Sequence, residues 1–415
     1  MPAGEERESE KPQNLLLKTF QAFRYRDFRL LWFGASTSTT GSWMQLTAQS
    51  WVVLQLTNSA FYLGLVGFLG QLPIILFTLL GGVFADRFDR RKLLLGSQYI
   101  QTAVAIILTI LVLLDQIAIW HFLVLVFVAG CGQAFGGPAY QALIPGLVKR
   151  EDVPNAIALN SIQFNLARMI GPVLAGLAFA SLGAAFCFGA NAVSFLAVIV
   201  SLLLIRATFI PPKTTETVLV QIKQGFRYIR GQGEIWKLTV LGFISTFCGV
   251  PLLTLLPVFA RDVFDLQATG YSIMMAISGA GSITGALLYA MISNRLQQGK
   301  FALWVQLIFS VLLCLFALSP NLILSCVLLF LSGGCLISLF ASITSLVQLA
   351  TAEEMRGRIM SIFMLAFRGG MPLGDLTAGF LASRISPSVA LIALSLVLAS
   401  VASGFLLSGS GVKKL

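Results

Sequence analysis

Long apolar stretches separated by short polar connections are the feature that most constrains the fold of this chain. An α-helix needs about 20 apolar residues to cross a bilayer, and twelve stretches of suitable length can be counted. They begin near Leu30, Leu63, Leu93, Ala118, Ala156, Ala184, Leu238, Tyr271, Phe301, Leu322, Ile359 and Val389. The sequence therefore predicts an all-α integral membrane protein with twelve membrane-spanning helices.

The composition also indicates a membrane protein, since 57% of the residues are hydrophobic and only 11% are charged. The net charge of +11 could also suggest nucleic acid, but 24 of the 28 lysines and arginines fall in the terminal segments or in connections on one predicted side. Lys and Arg in short loops collect on the cytoplasmic side. We therefore predict a multi-pass protein of the cell (inner or plasma) membrane with both termini in the cytoplasm, contacts with membrane lipid and no nucleic-acid partner.

Enzymatic chemistry is not indicated. The six cysteines lie in apolar stretches without paired spacing, so neither disulfides nor a metal site is predicted. The chain has one histidine and lacks the Gly-x-Ser-x-Gly and His-Glu-x-x-His patterns. We expect a protein that is not an enzyme and that needs no cofactor.

The longest polar connection, 206–237, lies in the middle of the chain and includes Pro211-Pro212 followed by a short basic amphipathic stretch. Such a stretch is typical of a helix on the membrane surface. The predicted organisation is a tail and interfacial segment at 1–29, a six-helix bundle at 30–205, the linker at 206–237, a second six-helix bundle at 238–408 and a tail at 409–415.

A weak internal repeat supports this division. Arg168 and Pro172 recur 200 residues later as Arg368 and Pro372. This offset pairs the fifth predicted helix with the eleventh, as a parallel repeat of two six-helix halves requires.

A charged segment that ends at Lys92 separates the second and third apolar stretches, and it holds six charges in seven residues. It resembles the Gly-x-x-x-Asp-Arg-x-x-Arg-Arg signature of the major facilitator superfamily. The matching positions are Gly82, Asp86, Arg87, Arg90 and Arg91. Asp89 stands where the family usually has a second glycine. The alternative is a cluster of positive charge that only sets the topology.

Further segments resemble the bacterial drug and siderophore (enterobactin-exporter-like) efflux branch of that superfamily. They are Gly136-Gly137-Pro138-Ala139, Glu353-Glu354-Met355-Arg356-Gly357-Arg358 and Arg368-x-x-x-Pro372-x-Gly374. The resemblance implies two pseudo-symmetric six-helix bundles around a central cavity and transport by alternating access. It also implies a cytoplasmic gate, in which Asp86 and Arg90 contact the start of the eleventh helix and Glu353 and Glu354 compete for or add to the same basic segment.

Polar side chains repeat every three or four residues along the first helix, at Ser38, Ser42, Gln45 and Gln49, and form one stripe. Lipid would not tolerate this stripe, so it lines a cavity or packs on another helix. Polar residues on the fourth, fifth and tenth helices extend the set. The predicted cavity residues are Ser42, Gln45, Gln49, Gln133, Tyr140, Asn165, Ser338 and Ser342. Helix packing is the alternative, above all for the serines.

Three ionisable residues fall within apolar stretches: Arg168, Arg368 and Asp375. Charges at membrane depth cost about 2.5 to 3.5 kcal/mol each and usually face a cavity or a partner. Arg368 and Asp375 are seven residues apart, which places them on the same side of one helix. We predict a buried charge network in which Asp375 is reversibly protonated. A structural Asp375–Arg368 pair and arginines that brace the two halves remain alternatives.

The fifth helix contains the segment Gly171-Pro172-Val173-Leu174-Ala175-Gly176. Proline removes a helix hydrogen bond and glycine permits close approach, so a kinked and tightly packed helix is predicted. The segment resembles a Gly-Pro-x-x-Gly-Gly signature of proton-linked exporters in the superfamily, with Ala175 in place of one glycine.

These features predict a monomeric secondary active transporter that exports a small amphipathic molecule, of the drug or siderophore type, in exchange for protons. No Asp or Glu lies in the middle of the helices expected to line the cavity, so a fixed acidic trap for cationic drugs is not indicated. A lipid or lysolipid transporter of the same fold and a proton-coupled importer are the alternatives.

Overall fold

A computed structural model describes residues 20–207, 233–293 and 297–408, apart from the side chains of residues 79, 82, 83, 85–87 and 354. Residues 1–19 of the predicted N-terminal segment, the whole predicted C-terminal tail 409–415 and most of the predicted linker 206–237 lie outside these ranges. Below, the first half means 20–207 and the second half 233–408. Regular structure within the described ranges is entirely helical, which confirms the predicted all-α class.

The helices follow one another with short connections. They are α1 (Arg26–Thr57), α2 (Ala60–Arg87), α3 (Arg90–Leu113), α4 (Ile119–Leu143), α5 (Val153–Leu204), α6 (Gly233–Gly249), α7 (Pro251–Val258), α8 (Ala268–Ile292), α9 (Gln298–Leu318), α10 (Leu322–Leu349), α11 (Arg356–Arg384) and α12 (Pro387–Leu407). Ten of the described helical segments are long and apolar enough to cross a membrane. Helix α1, which is rich in Ser, Thr and Gln, is not among the ten.

Helix α5 has two arms that meet at Gly183. This residue has φ 78° and ψ 178°, the one non-helical conformation inside the 52-residue helix. Such a φ is strained for residues with a side chain and open to glycine. The second arm, 184–204, packs against α1 and α3, with Asn191 and Ser194 facing Gly41.

The two halves of the chain use the same helix neighbours. Helix α1 packs on α5 as α6 packs on α11, α2 packs on α4 as α8 packs on α10, and α3 packs on α5 as α9 packs on α12. Between the halves, the most extensive contacts join α2 to α11 and α5 to α8.

One end of the helix assembly is basic, and it is called the basic end below. It includes the starts of α1, α3, α5 and α11. A polar clamp fixes the chain before α1 to the start of α5 there. Asp152, which is 3% exposed, accepts hydrogen bonds from Arg24 Nη2 at 2.5 Å and from the Tyr25 hydroxyl at 2.7 Å.

The apolar core is continuous at the end opposite to the basic end and divided near it. One buried cluster contains residues of both halves, such as Trp51 and Phe259. Near the basic end the clusters are separate, one around Leu143 in the first half and one around Phe363 in the second. The halves are therefore joined at the opposite end and leave space between them at the basic end.

Candidate functional site

A cavity of about 1250 Å³ occupies the space between the two halves. Its walls come from α1 to α5, α10 and α11, at positions nearer the basic end of these helices; on α1 and α11 they run from Ala35 to Leu46 and from Met360 to Arg368. This volume is enough for a drug-sized molecule, because pockets for such ligands measure about 300 to 1,000 Å³.

Half of the predicted cavity residues line this space. They are Ser42, Gln133, Tyr140 and Asn165. The Tyr140 hydroxyl donates a 2.5 Å hydrogen bond to Asn160 Oδ1, and Asn160 also lines the cavity. This bond holds α4 to α5 at the cavity wall.

The other four predicted cavity residues lie elsewhere. Gln45 accepts a 2.7 Å hydrogen bond from Asn191 Nδ2 on the second arm of α5, and Gln49 is buried. Ser338 donates to the Gly285 carbonyl at 3.1 Å and Ser342 to the Gln298 carbonyl at 3.2 Å. None of the four is among the described residues that line the cavity, and Gln45, Ser338 and Ser342 connect neighbouring helices instead.

Helix α3 contributes cavity residues that were not predicted from the sequence. Gln98 and Gln101 line the cavity, and Gln101 Nε2 donates to Gln133 Oε1 at 3.4 Å. Gln98 Oε1 and Thr78 Oγ1 are buried and have no hydrogen-bond partner among the described residues. The available signal was the polar stretch of α3 that holds Ser97, Gln98, Gln101 and Thr102.

Arg368 and Asp375 occupy different sites. Arg368 lines the cavity and has no ion pair or hydrogen bond with any described residue. Asp375 is 6% exposed and accepts a 2.6 Å hydrogen bond from Thr254 Oγ1 of α7. The predicted network between Arg368 and Asp375 is therefore not formed.

Asp375 lies in the contact between α2 and α11, which we call the seam. A Cβ at Gly67 of α2 would lie 3.0 Å from Asp375 Oδ2, and a Cβ at Gly379 would lie 3.0 Å from Gly64 Cα. The absence of side chains at these glycines lets the two helices meet closely and cover the carboxylate.

Arg168 contacts Trp43 of α1 and does not contact Arg368. Its guanidinium lies over the Trp43 ring, 5.7 Å from the centroid, a distance that permits a cation–π interaction. The Arg168 carbonyl faces α8, where a Cβ at Gly279 would lie 3.1 Å from it.

The predicted interruption of the fifth helix does not break it. The backbone stays helical through Gly171, Pro172 and Gly176, and the one non-helical residue, Gly183, lies at the predicted boundary between the fifth and sixth helices. The predicted close packing is present, since a Cβ at Gly171 would lie 2.5 Å from Trp43 Cβ and one at Gly176 would lie 2.7 Å from Ser272 Cβ.

The predicted gate is only partly within the described structure. The side chains of Asp86, Arg87 and Glu354 lie outside it, and Gly82 is described only as part of α2. Arg90 Nη1 donates to the Ala142 carbonyl at 3.0 Å and Arg91 Nη2 to the Leu203 carbonyl at 2.9 Å, while Glu353 is exposed. A contact between this segment and α11 stays a prediction.

Asp89 has a local role that accounts for its difference from the family pattern. It is the N-cap of α3, where its carboxylate accepts a 2.9 Å hydrogen bond from the Arg91 backbone amide. An aspartate at this position satisfies a free amide of the first helical turn.

The profile of a family described as transmembrane secretion effector (MFS_3) matches residues 17–410. The multidrug efflux pump Tap of Mycolicibacterium fortuitum is 27% identical, over 88% of this chain and 92% of Tap. The staphyloferrin A transporter of Staphylococcus aureus is 28% identical, over 81% and 84% of the two chains. The enterobactin exporter EntS of Escherichia coli is 27% identical, over 90% and 88%.

A solved structure shows the same fold. The bacterial homolog of the human lysosomal transporter Spinster, in an inward-facing and occupied conformation, superposes with a TM-score of 0.74 over 97% of this chain and 98% of its own. The two sequences are 13% identical.

Proposed function

The chain belongs to the transmembrane secretion effector family of the major facilitator superfamily, and from this premise we propose that it is a secondary active transporter that exports a small amphipathic molecule of the drug or siderophore type in exchange for protons. The names of its relatives support this cargo class, since they include a multidrug efflux pump and an enterobactin exporter. The transported molecule and the proton are the only partners that the mechanism requires, and the unit is a monomer in contact with membrane lipid.

The proposed topology has twelve spans in two bundles of six helices. Ten candidate spans are supplemented by the polar helix α1 and by the division of α5 into two arms at Gly183. The basic end faces the cytoplasm, because Lys and Arg concentrate on that side of the cell membrane. Both termini then lie in the cytoplasm.

The observation that carries the proposal is the 1250 Å³ cavity at the basic end, together with the seam and the continuous core that join the halves beyond it. Cargo would enter this cavity from the cytoplasm or the inner leaflet. Alternating access then requires the seam to part and the basic end to close by a rocking motion of the two halves. In the closed state Asp86, Arg87 and Arg90 would contact the start of α11, near Glu353 and Glu354.

Asp375 is the proposed proton site. Its carboxylate is covered by the seam and has one hydrogen-bond donor, Thr254. A buried carboxylate is far costlier ionised than neutral, so closing the seam favours the protonated form. Opening the seam would expose the same group to water and allow its proton to exchange. Protonation and seam closure are thereby linked.

Proton movement in liposomes tests the proposal. The purified protein is reconstituted with a pH-sensitive dye inside, and siderophores, amphipathic drugs and lysolipids are added outside one at a time. A transported cargo should carry protons out as it enters, so the interior becomes more alkaline. Binding without any pH change would contradict proton coupling, and a response to lysolipids alone would favour a lipid transporter.

A further inference from the structure

We infer that Arg368 selects cargo by charge, and that the cargo of this cavity is an anion that carries a carboxylate or a comparable oxyanion beside neutral hydrogen-bonding groups. The inference rests on the proposed transport function and specifies the class of molecule that the same cavity takes.

The first observation is the charge of the cavity wall. Arg368 is the only residue with a formal charge among the 31 described residues that line it. No described lining residue is an Asp, Glu, Lys or His. The positive charge of Arg368 would repel a cationic cargo, and no carboxylate in the described cavity wall would offset this repulsion. The same charge would attract an anionic cargo.

The second observation is that the guanidinium has no partner. Arg368 forms no ion pair or hydrogen bond within the described part of the chain, and Asp375, two turns along the same helix, is bonded to Thr254 in the seam. An arginine at membrane depth normally pairs with an acid or faces a cavity. The guanidinium of Arg368 has five N–H donors in a planar arrangement, and two of them can bind the two oxygens of one carboxylate.

The third observation is the chemistry around this charge. Six glutamines and two asparagines line the cavity, and amide groups both donate and accept hydrogen bonds. Trp43, Met360 and Met364 add an apolar and polarisable surface. The cavity therefore fits a molecule with one anionic group, several hydroxyl or amide groups and an apolar portion.

Three probes with one fluorophore test the inference: dansylglycine, which is anionic, dansylglycinamide, which is neutral, and N-dansylethylenediamine, which is cationic. Equilibrium binding is measured by dansyl fluorescence with the protein in lipid nanodiscs, and the signal of empty nanodiscs is subtracted. We expect dansylglycine to bind about 10-fold more tightly than the neutral amide, as one charge-assisted pair allows, and the cation to bind most weakly.

Arg368→Gln should remove the preference for dansylglycine and leave the affinity for the neutral amide unchanged. Arg368→Lys should keep part of the preference, since lysine retains the charge but loses the planar fork. The matched control is Arg384→Gln on the same helix, because Arg384 lies over the Phe380 ring near the opposite end and should not affect any probe.

Two results would overturn the inference. One is equal affinity of the unmodified protein for dansylglycine and the amide. The other is an equal loss of affinity for all three probes in Arg368→Gln, which would assign Arg368 a structural role. Binding is measured without a pH gradient, so it does not depend on proton coupling. If the anion preference depends on Arg368 but the liposome assay shows no proton movement, the proposed proton coupling is wrong and this inference still holds.

Discussion

Thr254 and Asp375 are joined by a hydrogen bond in which Thr254 Oγ1 donates to Asp375 Oδ1 at 2.6 Å. The bond connects α7 to α11, and Gly67 of α2 covers the other carboxylate oxygen. Elements of both halves thus enclose one carboxylate that has no basic partner among the described residues. A change in its protonation would act directly on the contact between the halves.

The first prediction concerns this carboxylate. Asp375→Asn keeps the shape of the side chain and cannot ionise, so cargo-driven proton movement in liposomes should be abolished while equilibrium binding of cargo is retained. The matched control is Asp265→Asn, because Asp265 is exposed and has a φ of 51°, a conformation that asparagine tolerates well. Proton movement at the rate of the unmodified protein in Asp375→Asn would assign the coupling to another group.

The sequence predicted Asp375 as a candidate but not its partner. Spacing along a helix places Arg368 and Asp375 on one side, yet seven residues of helix separate their backbones by about 10 Å. Thr254 is 121 positions away in the sequence, so only the packing of α7 on α11 brings it to the carboxylate. The periodicity of one helix identifies a face and does not identify the helix that covers it.

A second prediction addresses the closure of the seam. In Gly64→Ala the new methyl group would overlap the Asp375 backbone carbonyl, which cannot rotate away, so α2 and α11 must separate. Overpacking of this kind costs about 1 to 3 kcal/mol, and the equilibrium should shift toward the state that is open at the opposite end by about 5- to 150-fold.

Spin labels at Gln55 of α1 and Ser383 of α11, both exposed near the opposite end, report this change as a longer distance in electron paramagnetic resonance. Gly404→Ala is the control, since no atom lies within 4 Å of a Cβ at that position. An unchanged distance distribution in Gly64→Ala would show that this seam does not limit opening.

The third prediction concerns the polar clamp at the basic end. Asp152→Asn removes the negative charge that accepts from Arg24 and Tyr25, and hydrogen bonds to charged groups contribute about 1.5 to 3 kcal/mol. Because the Arg24 side chain is 45% exposed, we expect a loss near the lower end of this range in the free energy of unfolding.

Equilibrium denaturation in mixed detergent micelles measures this loss. Glu151 also pairs with Arg24, at 3.1 Å, but its side chain is 67% exposed. Glu151→Gln should therefore change the stability by less than about 0.5 kcal/mol. Equal effects of the two substitutions would mean that the burial of Asp152 does not strengthen the clamp.

The cavity was predictable in part, for a physical reason. Polar residues on α1 and α4 were expected at the cavity because lipid rejects them, and Ser42, Gln133 and Tyr140 do line it. The same reasoning cannot separate a cavity from a helix contact, since both satisfy a polar group. It also passed over Gln98 and Gln101, because the surrounding apolar residues of α3 indicated only a membrane span.

The last prediction separates these two uses of a polar residue. Gln45→Leu leaves Asn191 Nδ2 without its acceptor. Interhelical hydrogen bonds in membranes contribute about 0.6 kcal/mol and at most about 1.7 kcal/mol, so the free energy of unfolding should fall by this amount. The affinity for dansylglycine should be unchanged. Gln133→Leu, made in the cavity wall, should weaken binding by about 5-fold, the effect of one hydrogen bond of about 1 kcal/mol, with little change in stability. Denaturation and fluorescence titration of both variants give the comparison. A loss of affinity in Gln45→Leu alone would place cargo against the second arm of α5, because Asn191 on that arm is the hydrogen-bond partner of Gln45.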